Sequence, residues 1–172
     1  MRALFKEKNN EVGGAIINLN IYNNRKSISI CTYNEKGFQT GRMNVIQIHI
    51  NEYYIVDIYC YSKYRGRGIA SSMMKMVETL IEPNSIITGT FVPYQDRRDR
   101  YGNQDYNKLF SDVRDFYILN GFEFFNAKGT IKFKKRVTFK EDDFTIIDDT
   151  LYDTTLSSDL DISEITKKII KR

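Results

Sequence analysis

Two short stretches carry residue types whose spacing suits chemistry. The first is "YRGRGIASSMM", Tyr64 to Met74, in which two glycines alternate with Arg65 and Arg67 just where a helical pattern begins. A helix start presents N–H groups without intrahelical partners and a partial positive charge, so it attracts phosphate. Glycine lets the backbone approach the anion, and the arginines add charge. The second is "FYILNGFEF", Phe116 to Phe124, which carries a phenol of ordinary pKa near 10, Tyr117, on the apolar stripe of a helical pattern. Two further titratable groups stand on the strands. Asp57 is the only acid on its strand, on the face of Tyr59 and Tyr61, where burial would raise its pKa to a useful range. His49 has a suitable intrinsic pKa but stands on the polar face of its strand.

Two familiar phosphate turns fail here. The P-loop needs a Gly-Lys pair that the sequence lacks. The dinucleotide fingerprint would start at Gly66 and Gly68 but meets Ser71 at its third small position, and the preceding residues read as an antiparallel meander. "RGRGIA", Arg65 to Ala70, fits [Q/R]-x-x-G-x-[G/A] and resembles the coenzyme A-binding turn of the GNAT superfamily of N-acyltransferases. "FYILNGF" is similar to that family's helix ending in a tyrosine, three residues and Gly-Phe. The resemblance runs from about Tyr53 to Val137, half of the chain.

The resemblance implies an acetyl-CoA-dependent N-acetyltransferase that passes an acetyl group directly to a primary amine. Acetyl-CoA would be held by Arg65, Gly66, Arg67, Gly68, Ile69, Ala70 and Ser71, with main-chain amides of Tyr59, Cys60 and Tyr61 along its arm. Tyr117 would be general acid and Asp57 the base, with no metal. A protein or peptide amine is the leading acceptor, and a small amine or an aminoacyl-tRNA are variants. A non-enzymatic binding module of the same fold, using its basic surface, is the rival reading. A homodimer is an allowed assembly.

The elements that must position these groups can be read from periodicity. Gly14–Tyr22, Ser27–Tyr33, Asn44–Ile50 and Tyr53–Tyr61 alternate as strands, with turns at Asn23–Asn24 and Asn34–Gly37. In the last strand Val56, Ile58 and Cys60 share the apolar side. Ile69, Met73, Met76, Val77 and Leu80 then recur at helical spacing until Glu82–Asn84. Ser85–Val92 reads as a buried strand, Leu109–Asn120 as a helix closed by Gly121, and Phe122–Val137 as a hairpin turning at Ala127–Gly129. The predicted class is α+β: a GNAT-like mixed, mainly antiparallel central sheet flanked by helices. Its strand-rich N-terminal half has no room for the two helices that the family usually places after its first strand.

Between the strand Ser85–Val92 and the second helix, Pro93–Tyr106 is a polar loop long enough to suggest function. Its Asp96, Asp99 and Asp105 suit a cationic amine, and its Arg97, Arg98 and Arg100 a phosphate or RNA. The division expected is an acyltransferase domain over 1–137 and an acidic tail or short helical extension over 138–172, where Ile162, Ile165 and Ile169 form an apolar stripe.

Composition bounds these readings. The 172 residues are 41% hydrophobic and 28% charged, enough for one sizeable core. No stretch approaches the roughly 18 apolar residues of a membrane span. Two cysteines, Cys31 and Cys60, fit neither a disulfide framework nor a metal spacing, which suits a reducing cytoplasm. The net charge of +4 is uneven: from Lys140 onward nine acidic residues outweigh five basic ones, leaving +8 on residues 1–139. A core that basic suits a polyanionic ligand.

Overall fold

The computed structural model describes residues 1–6, 12–92, 106–138 and 144–147. The described residues form nine strands: β1 (Arg2–Lys6), β2 (Val12–Tyr22), β3 (Arg25–Tyr33), β4 (Gln39–His49), β5 (Glu52–Cys60), β6 (Ile86–Thr90), β7 (Glu123–Ala127), β8 (Thr130–Arg136) and β9 (Phe144–Ile147). Helix α1 (Ile69–Leu80) joins β5 to β6, and α2 (Tyr106–Leu119) precedes β7. One sheet holds all the strands in the order β7-β8-β6-β5-β4-β3-β2-β1-β9. Among the described strands only β5 and β6 pair in parallel, as a strand–helix–strand crossover requires.

The expected class is the one observed. The N-terminal half is a meander whose β2–β3 connection is Asn23–Asn24, both at positive φ, so no helix lies between those strands. Strands β1 and β9 were not anticipated. β1 lacks the length to show alternation, and β9 falls in the stretch read as a tail, where it pairs antiparallel with β1. The remainder of that stretch, including Ile162, Ile165 and Ile169, lies outside the described residues.

Both helices pack on one face. Ile69, Met73, Met74, Met76 and Val77 of α1 are buried against Ile17, Ile28, Ile30, Met43 and Val45 of β2 to β4. Gly41 makes room for this: a Cβ there would lie 2.9 Å from the Tyr59 carbonyl oxygen and 3.2 Å from Met73 Cε. Lys135 of β8 reaches under both helices, paired with Glu78 of α1 and 3.5 Å from the position a Gly121 Cβ would take.

The register shifts at Thr40 and Ile48 of β4 and at one point in β5 that bears on the site. Asn44 pairs with Asp57 but Val45 pairs with Ile55, so Val56 is an extra residue in β5 and forms a β-bulge. Tyr53 and Ile55 before it are buried, while Ile58 and Cys60 after it pack on the same core. Val56 itself is half-exposed, so the expected apolar set of Val56, Ile58 and Cys60 loses its first member. The bulge switches parity and sends Asp57 and Tyr59 to the face opposite α1 and α2.

Candidate active site

β5 runs alongside β6 only briefly. Their pairing ends at Tyr54 with Thr88, yet β5 continues to Cys60 on its β4 side. The two strands therefore diverge just before the glycine turn, as the resemblance implies. Across the opening the Tyr54 hydroxyl donates to Thr90 Oγ at 3.0 Å.

Of the three main-chain amides expected along this edge, two face β4 instead and only that of Cys60 faces the opening. Tyr61 N–H donates to Thr40 O at 3.1 Å. Because antiparallel strands alternate their hydrogen-bonding sides, Tyr59 N–H points the same way, toward β4. The Cys60 amide and carbonyl point toward the divergence, where Arg65 Nε donates to Cys60 O at 3.1 Å.

A single helical turn, Ser62–Tyr64, links β5 to the glycines. Tyr64 anchors it: the ring is buried, its hydroxyl accepts from Asn34 Nδ2 at 3.2 Å, and Lys63 and Arg67 lie over its faces. Gly66 and Gly68 then take φ of 77° and 87°, which side-chain-bearing residues adopt at a cost. Gly68 is the N-cap of α1, so no side chain closes the helix start, and its first turn holds no acid. The first intrahelical bond is Ser72 N–H to Gly68 O at 2.9 Å. The amides of Ile69, Ala70 and Ser71 therefore have no i−4 acceptor within the helix.

At the other end of the site, α2 closes with a Schellman cap. Phe122 N–H donates to Tyr117 O at 3.0 Å and Gly121 N–H to Ile118 O at 2.9 Å, with Gly121 at φ 81°. The accompanying apolar contact is Tyr117 against Phe122, ring centroids 5.5 Å apart. The spacing Tyr-x-x-x-Gly-Phe is thus first a helix-stop signal, and it fixes where the phenol sits. Tyr117 stacks on Phe133 and meets Phe91 and Phe124 edge-on. Burial pushes its phenol pKa well above the ordinary value, and the neighbouring Tyr54 phenol adds to the rise. Asn120 ties this helix end to the glycine turn, donating from Nδ2 to Ser71 Oγ at 3.2 Å and to Phe116 O at 2.7 Å.

The candidate bases fare differently. Asp57 is half-buried, not enclosed by tyrosines: Arg42 Nε donates to Oδ2 at 3.1 Å and Asn44 Nδ2 donates to Oδ1. Both carboxylate oxygens are thereby engaged, and the Arg42 guanidinium also lies over the Tyr59 ring. Tyr59 and Tyr61 meet edge to face at 5.2 Å. His49 pairs with Glu52 at the opposite end of β5, roughly 25 Å along the strand from Cys60 at about 3.3 Å per residue. It has no access to the divergence. The loop residues Asp96, Arg97, Arg98, Asp99, Arg100 and Asp105 lie outside the described residues.

Sequence reasoning missed Asn120, Gly41, Arg42 and Asn44. Only Asn120 carried a local signal, its place between the two halves of the tyrosine–glycine motif. The others act through cross-strand register.

No family model and no curated protein matches the chain. Its course is similar to parts of several solved acetyltransferases. One is a GNAT-family acetyltransferase of Staphylococcus aureus, 13% identical over 65% of this chain and 68% of that one, with a TM-score of 0.48. Another is an aminoglycoside 6′-N-acetyltransferase complexed with coenzyme A, 16% identical over 67% and 76%, with a TM-score of 0.47. A third is an acetyltransferase of Thermus thermophilus, 9% identical over 64% of each chain, with a TM-score of 0.46. Among the described residues no helix is long and apolar enough to cross a membrane.

Proposed function

We propose that this chain is an acetyl-CoA-dependent N-acetyltransferase acting on a primary amine. The observation that carries this reading is the parting of β5 from β6 beyond Tyr54 and Thr88, directly before a glycine turn that opens α1 without a side-chain cap. The turn fits a diphosphate. At Gly66 nothing stands within 4 Å of where a Cβ would be, and at Gly68 the N-cap has no side chain.

Acetyl-CoA supplies the acyl group as an activated thioester. The amides of Ile69, Ala70 and Ser71 hold the diphosphate, and Arg65 and Arg67 add positive charge beside it. The Cys60 amide lies on the edge that faces the acyl arm. Tyr117 keeps its proton at neutral pH because ionising it would leave a phenolate in an apolar nest. It would therefore serve as a hydrogen-bond donor to charge growing on sulfur while keeping its own proton. Asp57 acts as base only by releasing Arg42, and an exposed pair of this kind holds by about 0–1 kcal/mol.

The test is release of thiol from acetyl-CoA in the presence of peptide amines, small amines and aminoacyl-tRNA in turn. Acceptor-dependent release supports the reading. Acetyl-CoA binding without release to any of them favours the binding module.

A further inference from the structure

The side-chain amide of Asn120 bridges the phosphate turn and the phenol helix. It leaves α2 at the residue before Gly121 and donates both to Phe116 O in its own helix and to Ser71 Oγ in the first turn of α1. Asn120 and Ser71 are 49 residues apart in sequence. Each belongs to a different motif, and no cross-strand register brings them together.

We infer that Asn120 is a positioning residue, which sets the Tyr117 phenol and the Ser71 hydroxyl relative to one another; this rests on the acetyltransferase reading above. Two consequences follow from donor and acceptor roles. First, Ser71 Oγ accepts from Asn120, so its own proton is directed away from α2, and Ser71 stands in the third position of α1 beside the amides of the helix mouth. Second, the Phe116 carbonyl is one residue before Tyr117, so the second bond fixes the turn that carries the phenol. A ligand gripped at the helix start is thereby referred to the proton donor through two hydrogen bonds, not through the sheet.

Asn120 also ends α2, so its loss alone confounds positioning with fraying; the Ser71 side of the bond does not. The experiment is a double-mutant cycle on full-length Asn120→Ala, Ser71→Ala and the double variant, reading acetyl-CoA Kd, kcat, acceptor KM and melting temperature. A neutral hydrogen bond of ordinary strength predicts a loss of about 3- to 10-fold in both Kd and kcat for each single variant. The double variant should lose no more than either single, the acceptor KM should stay put, and Ser71→Thr should recover what Ser71→Ala loses. Multiplicative losses in the double variant, or a lower melting temperature with Kd and kcat unmoved, overturn the inference while leaving the acetyltransferase reading intact. A wild-type chain that binds no acetyl-CoA overturns both.

Discussion

The ring of Tyr117 lies on that of Phe133, centroids 4.0 Å apart and planes 26° from parallel. Phe133 is seated in turn by Gly89, its cross-strand partner on β6. The phenol is thus placed by a stack that begins at a residue with no side chain.

Gly89→Ala tests that seat. An added Cβ would meet Phe133 Cζ at 2.2 Å, so the ring must move or the strands must part. Overpacking of this kind costs about 1–3 kcal/mol. Thermal unfolding should show the loss, and turnover should fall further than acetyl-CoA affinity because Tyr117 shifts with Phe133.

Tyr117→Phe keeps the stack and removes the hydroxyl. Acetyl-CoA affinity should stay within about twofold while kcat falls by about 100-fold or more, the low end of what a positioned proton donor contributes. Unchanged turnover in a steady-state assay would remove Tyr117 from the chemistry and leave it as core.

The same side chain sets an alkaline limit. Its folded pKa is raised, by burial first, so the stabilisation from staying protonated is complete below about pH 10 and is lost as pH climbs beyond it. Tyr117→Phe should therefore show a flatter alkaline limb in chemical denaturation than the wild type. Identical limbs would mean the phenol is not buried in solution.

Glu82 governs the acid limb. Its hydrogen bond with Lys26, and then that with Tyr53, lowers its pKa from 4.5 to about 2. The stability this provides is present above pH 4.5 and is lost as pH falls toward 2. Glu82→Gln should flatten that part of the stability profile and leave turnover at pH 7 unaltered, since the carboxylate lies just past α1, at the end away from the glycine turn.

What the sequence made legible follows from how local each signal is. The glycine turn, the α1 stripe and the α2 stop are short-range: φ at Gly66, Gly68 and Gly121, and helical spacing from Ile69 to Leu80, are properties of consecutive residues. The bulge at Val56 was half-legible, because "YYIVDIYCY" is apolar on both parities and one strand face cannot bury both. The partners of Asp57 were not legible. Arg42 and Asn44 lie across a register that shifts at the bulge, and alternation along one strand does not tell which residues oppose it. The strand β1 was hidden for the same reason: five residues gain their regularity from β2 and β9, not from themselves.

Isothermal titration of acetyl-CoA into the wild-type chain and into Gly68→Glu bears most directly on the whole account. Saturable one-to-one binding that vanishes in the variant, with the fold retained by circular dichroism, is the result expected of a diphosphate held at the start of α1. No heat with the wild type, or equal affinity in both, would contradict it.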